Sequence, residues 1–149
     1  DLISIDNDAV TAVSNPVVIT GFDVANDDLR TSVNGTAHNA GFQTVTGPDE
    51  AITTGANGVL EIDSGVAFTT PADITNGGSV ETALINAVGA IDNGNYTVIG
   101  YDSGNAYLYS MSFTDDAADG LNAASEIVVE LIGQVNSVVA DSLDGTNFA

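Results

Sequence analysis

The chain has 149 residues, with 21 Asp or Glu against a single basic residue, Arg30, and a formal charge of −20. Nucleic acid and anionic membrane surfaces are excluded as partners, because contacts to phosphate need Lys and Arg that this chain lacks. At 44% hydrophobic it carries enough core material to escape the signature of disorder, and with no cysteine it builds no disulfide or thiolate metal site.

The length predicts one domain over residues 1–149. No apolar run approaches the roughly 20 residues of a membrane span, so no membrane insertion is expected. The chain opens on Asp1 without a basic stretch leading into an apolar one. That is expected of a chain whose leader has been removed, or of the downstream part of a longer polypeptide.

In chain order, "DLISID" (1–6) reads as a first strand, and residues 1–14 as an edge strand or one exchanged with a neighbour. "NPVVITGF" (15–22) follows, with Pro16 beginning a strand or marking an edge because it cannot donate to a ladder. Residues 31–58 are punctuated by the turn clusters "NGTAHNAG" and "TGPDE". "GVLEIDSGVAF" (58–68) alternates, sending Leu60 and Ile62 to one face and Glu61 and Asp63 to the other, which predicts a half-buried strand.

"SVETALINAVGAIDNG" (79–94) carries Val80, Ala83, Leu84, Ala87, Val88 and Ile91 on one helical stripe. Ser79 is expected as its N-cap and Asn93-Gly94 as its stop. "NYTVIGYD" (95–102) turns at "SGN" into "AYLYSMSF" (106–113), a predicted hairpin with Tyr107, Tyr109, Met111 and Phe113 on one face. "EIVVELIG" (126–133) puts Ile127, Val129 and Leu131 inward and Glu130 outward. Residues 134–149 form a polar tail with spaced apolar residues. No internal repeat is evident, and the calcium-binding nonapeptide of parallel β-rolls is absent. The fold expected is mainly β, β-sandwich-like, with one packed amphipathic helix, and α+β at the margin.

Two acidic turns are candidate metal sites. In "TDDAADGLNAASE" (114–126), Asp115, Asp119, Gly120 and Glu126 fall at positions 1, 5, 6 and 12 of the calcium-loop pattern, with Asp116 beside them. Position 3 is Ala117, and strands rather than helices flank the loop. A solvated acidic hairpin loop is the alternative. The second candidate is Asp23, Asn26, Asp27 and Asp28 in "VVITGFDVANDDL" (17–29). Hard oxygen donors without His or Cys favour Ca2+ over zinc or copper.

No catalytic residue is expected. His38, the only histidine, lies in a Gly/Asn/Thr-rich stretch without a nucleophile motif and is expected to be an exposed loop residue. Carboxylate pairs are unavoidable among 21 acids and do not argue for a glycosidase. The Tyr107/Tyr109 stripe is expected to pack in the core, with stacking on surface glycans as the alternative.

The segment "VVITGFDVANDDL" resembles the strand-to-turn stretch that follows the repeats in bacterial RTX-type secreted calcium-binding proteins, and the opening of tail domains on large surface proteins. The order "GVLEID", "SVETALINAVGAI", "YTVIGYDSGNAYLYSMSFTDDAADGLNAASEIVVELIG" is similar too, and "SVVADSLDGTNFA" looks like the carboxyl-terminal end of type I secretion substrates. The resemblance implies secretion to the cell surface, calcium as a structural ion, and a non-enzymatic role as a surface-layer, adhesin or filament subunit. Self-assembly is expected as a homo-oligomer or polymer, by adding a strand to a neighbour's sheet edge. The alternative is a carbohydrate- or surface-binding module of a larger exported protein.

Overall fold

The computed structural model describes residues 1–7, 16–33, 35–65, 79–116 and 119–149. Along the chain run β1 (Leu2–Asn7), β2 (Val17–Ile19), β3 (Asp28–Val33), β4 (Thr36–Ala37), β5 (Phe42–Val45) and β6 (Val59–Ile62). They are followed by α1 (Ser79–Ala87), β7 (Gly94–Asp102), β8 (Asn105–Phe113) and β9 (Ile127–Asn136). Two sheets result: a small one in the order β1-β3-β4, and a six-stranded one in the order β2-β9-β8-β7-β6-β5. The molecule is mostly β with a single helix among the described residues, in line with the expected class.

The predicted hairpin forms the middle of the large sheet. Asp102 pairs with Asn105 across a two-residue turn, Ser103-Gly104, in which both residues have positive φ (51° and 77°). Such a turn matches the right-handed twist of the strands it joins. β8 then pairs antiparallel with β9, shifting register between Leu108 and Tyr109. The remaining pairs of this sheet are parallel: β5 with β6, β6 with β7, and β2 with β9.

Both faces of the large sheet are covered. On one, Val80 and Leu84 of α1, with Val88 just beyond it, pack against Leu60, Val98, Tyr109 and Met111. On the other, Ile5 and Leu29 of the small sheet meet Val59, Ile99, Leu108 and Val135. This second layer changes the expected pattern of burial. Every residue of β6 is buried, so Glu61 does not face water as its alternation predicts, and it is 3% exposed. Glu130, expected outward between Val129 and Leu131, is 9% exposed for the same reason.

The helix is shorter than its apolar period. It ends at Ala87, and Val88 pairs instead with Glu50 in a parallel bridge. The Ala87 carbonyl accepts from Glu50 N (2.9 Å), and Gly89 N donates back to the Glu50 carbonyl (2.8 Å). Tertiary hydrogen bonds therefore terminate the helix before the Asn93-Gly94 stop. Ser79 is its first residue rather than its cap.

Both ends of the sequence are built in. β1 pairs in parallel with β3 of its own chain, Ile5 opposite Thr31, and ends the small sheet among the described residues. Residues 8–14 of the expected exchangeable segment, and 66–68 of the strand expected over 58–68, lie outside the described residues. The segment read as a polar tail starts within β9, and its Val138, Leu143 and Asn147 are buried. Phe148 bridges to Leu29, and Ala149 N donates to the Leu29 carbonyl (3.0 Å).

Candidate metal centre

The loop from β8 to β9 is closed at its mouth by Thr114 N, which donates to the Glu126 carbonyl (2.8 Å). Leu121 is buried beneath it, with its N–H on the Gly89 carbonyl (3.2 Å). Gly120 has φ +82°, and a Cβ there would stand 2.9 Å from that same carbonyl oxygen, so the approach requires glycine. The loop is thereby seated against the turn that ends α1.

Inside this frame the carboxylates converge. Asp115, Asp116, Asp119 and Glu126 each place a carboxylate oxygen within 4.8 Å of the others. Glu126 is buried, and its Oε2 accepts from Asn122 N and Ala123 N (2.9 Å each). Those amides hold its carboxyl below the usual glutamate range. Asp115 Oδ2 accepts from Gly120 N (3.3 Å), while Asn93 Oδ1 takes the Asp115 N–H (2.7 Å). The Glu126 charge pushes the Asp116 carboxyl up, with burial and Asp119 adding to it. The loop thus gathers four acids around an electrostatic penalty that a cation would relieve. An all-oxygen set of this kind suits a hard divalent ion. Residues 117 and 118 lie outside the described residues, and Ala117 has no side-chain oxygen to offer.

The second acidic turn is arranged differently. The Asp23 carbonyl accepts from Asn26 N and Asp27 N (2.9 and 2.8 Å), closing the turn. Asp23 Oδ1 takes Ala25 N (3.0 Å) and Oδ2 takes Asn26 Nδ2 (2.8 Å). Asp27 Oδ2 accepts from Asp23 N (2.9 Å), and its Oδ1 lies 2.9 Å from the backbone nitrogen of Asp1. The carboxylates of Asp23 and Asp27 are satisfied by N–H donors, and Asp28 enters β3. Asp23, Asp27 and Asp28 are not brought into a convergent group like that of the β8–β9 loop. Asn147 buttresses the corner, its side-chain amide donating to the carbonyls of Val24 (2.8 Å) and Asp27 (3.4 Å).

His38 is not an exposed loop residue. It is 1% exposed, and its Nδ1 lies 2.9 Å from Thr97 Oγ1, in a buried chain that continues to Thr31 Oγ1 (2.7 Å). The turn signals around it gave no warning, because the ring's partner Thr97 comes from β7, 59 positions away. A second buried group also went unpredicted. Tyr101 Oη donates to Glu61 Oε1 (2.6 Å) and Thr44 Oγ1 to Oε2 (2.8 Å). Burial raises the Glu61 carboxyl despite these donors, and also pushes the Tyr101 hydroxyl up. Tyr109 is fully buried and Tyr107 packs against the helix-side core, so the tyrosine stripe belongs to the core.

Comparison with protein-family models, with curated proteins and with solved structures finds no match. Among the described residues no helix is long and apolar enough to cross a membrane.

Proposed function

We propose that this chain is a calcium-stabilised, non-catalytic structural module of an exported bacterial surface assembly, such as a surface layer, adhesin or filament. The convergence of Asp115, Asp116, Asp119 and Glu126 carries this proposal. In a chain of charge −20 with one basic residue, four carboxylates drawn together in one loop have no cationic side chain to offset them. Calcium at millimolar level, as outside cells, suffices for a site of modest affinity. Bound there, the ion would brace the β8–β9 connection against the end of α1 through Leu121 and Gly89. Extracellular placement and type I secretion rest on the composition and on the motif resemblance.

Self-association would use the side of β1 away from β3, which pairs with no strand among the described residues and lies beside Leu2, 57% exposed. A neighbouring copy could add a strand there through backbone hydrogen bonds. A carbohydrate-binding module would need open aromatic faces, and Tyr107 and Tyr109 instead pack inward. Light scattering with calcium and with chelator tests the assembly. Growth of the scattering mass with calcium supports a polymer, and a constant monomer mass in both sinks it.

A further inference from the structure

We propose that His38 is an acid-released latch between the two sheets: protonating its ring frees the three-stranded sheet from the six-stranded one. The residue follows β4 and is fixed to the small sheet by its own backbone, His38 N donating to the Thr31 carbonyl (2.8 Å). Its ring crosses to the large sheet, where Nδ1 meets Thr97 Oγ1 of β7 (2.9 Å). Thr97 in turn donates its hydroxyl to Thr31 Oγ1 of β3 (2.7 Å), closing a polar loop between the layers. All three residues are buried.

The neutral ring carries one N–H, on Nδ1 or on Nε2, and the Thr97 and Thr31 hydroxyls can turn to serve either form. Nε2 is buried and has no hydrogen-bond partner among the described residues. The protonated ring carries an N–H on both nitrogens, and the one on Nε2 would be a buried charged donor with no acceptor, a costly polar group.

Among the described residues no carboxylate oxygen lies within 4 Å of either ring nitrogen. From β9, buried Glu130 is in register with Ser110, which stands opposite Thr97. From β3, Asp28 and Arg30 are exposed to solvent. From β6, Glu61 is engaged by Tyr101 and Thr44. On β7, Thr97 meets the ring, and the tyrosines there are Tyr96, which belongs to the helix-side core, and Tyr101, which is bonded to Glu61. On β4, Thr36 and Ala37 carry no charge. Burial holds the imidazole pKa down, at about 4, against its ordinary value of 6.5.

The sign follows from that depression. The latch is fully closed above the unfolded-state pKa and weakens as pH falls from 6.5 toward 4, because the opened state takes the proton more readily. The opening constant of the wild type should therefore rise on the order of 100-fold between pH 7 and pH 4, relative to a chain without the imidazole. The small sheet is the part to open, since it has three strands and its apolar contribution centres on Ile5 and Leu29. The inference does not depend on the metal site.

The test uses the wild type and His38→Gln at fixed calcium and ionic strength. His38 is the only histidine, so its ring protons identify themselves by NMR. Expected is a ring that does not titrate near pH 6.5 while folded. Amide protection in β1 and β3 should fall steeply toward pH 4 while β7 and β8 stay protected, and His38→Gln should show no such loss. A ring titrating near 6.5 in an intact fold overturns the proposal. So does equal loss of protection in His38→Gln, or uniform loss over both sheets. If His38→Gln does not fold, the wild-type titration and exchange pattern decide alone.

Discussion

Glu61 and His38 are buried in the same layer, between the two sheets, and both are disfavoured in their charged forms. For Glu61 the folded pKa is raised, so its favourable contribution is complete below the unfolded value of 4.5 and is lost as pH rises through the folded value. Glu61→Gln keeps the acceptor for Tyr101 and can donate to Thr44, which is free to turn its hydroxyl. The substitution should match the wild type near pH 4 and gain stability over it between pH 5 and 8, in denaturant titrations across that range. Glu61→Ala leaves Tyr101 and Thr44 without their acceptor and opens a void, at a cost of about 2–4 kcal/mol. His38→Ala at pH 7 should cost about 1–3 kcal/mol, since it strips the Thr97 hydroxyl of a buried partner. No loss at all would return His38 to the surface role its sequence context suggests.

At the scale of elements, close backbone approaches set positions that side chains alone would not. A Cβ on Gly89 would sit 2.7 Å from the Asp49 carbonyl oxygen, where the strand bridge at Glu50 ends α1. Gly89→Ala should therefore destabilise by about 1–3 kcal/mol and weaken calcium binding by disturbing the seat of Leu121. β1 supplies Ile5 to the inter-sheet core, so removing residues 1–7 should lower the melting temperature of a monomer. A strand that served only to join neighbours would leave that temperature unchanged. The β7–β8 hairpin was legible because Ser103-Gly104 and the flanking alternation are local. The acidic loop was legible because its four acids lie within twelve positions of one another. The helix stop was not, since Glu50 reaches it from 38 positions upstream (Val88 paired with Glu50). The parallel pairing of β1 with β3 and the Glu61–Tyr101 bond, with |i−j| of 40, carry no local signal for the same reason.

For the whole molecule, the charge of −20 opposes compaction, and the structure distributes that burden unequally. The turn at Asp23 and Asp27 is met by amides, whereas the β8–β9 loop concentrates four acids within reach of one ion. Monovalent salt should raise the melting temperature of the chelated protein through screening, yet not reproduce the effect of calcium. The decisive comparison is the melting temperature of the wild type and the double variant Asp116→Asn, Asp119→Asn, each in millimolar calcium and in chelator at equal ionic strength. Neither side chain is among those whose amide bonds shape the loop, so the variant should fold. Calcium should raise the wild-type melting temperature by several degrees and leave the variant unmoved. In chelator the variant should melt at or above the wild type, because repulsion within the cluster is reduced. Equal melting of the wild type in calcium and chelator, or an undiminished calcium response in the variant, would contradict the metal-stabilised module proposed for this chain.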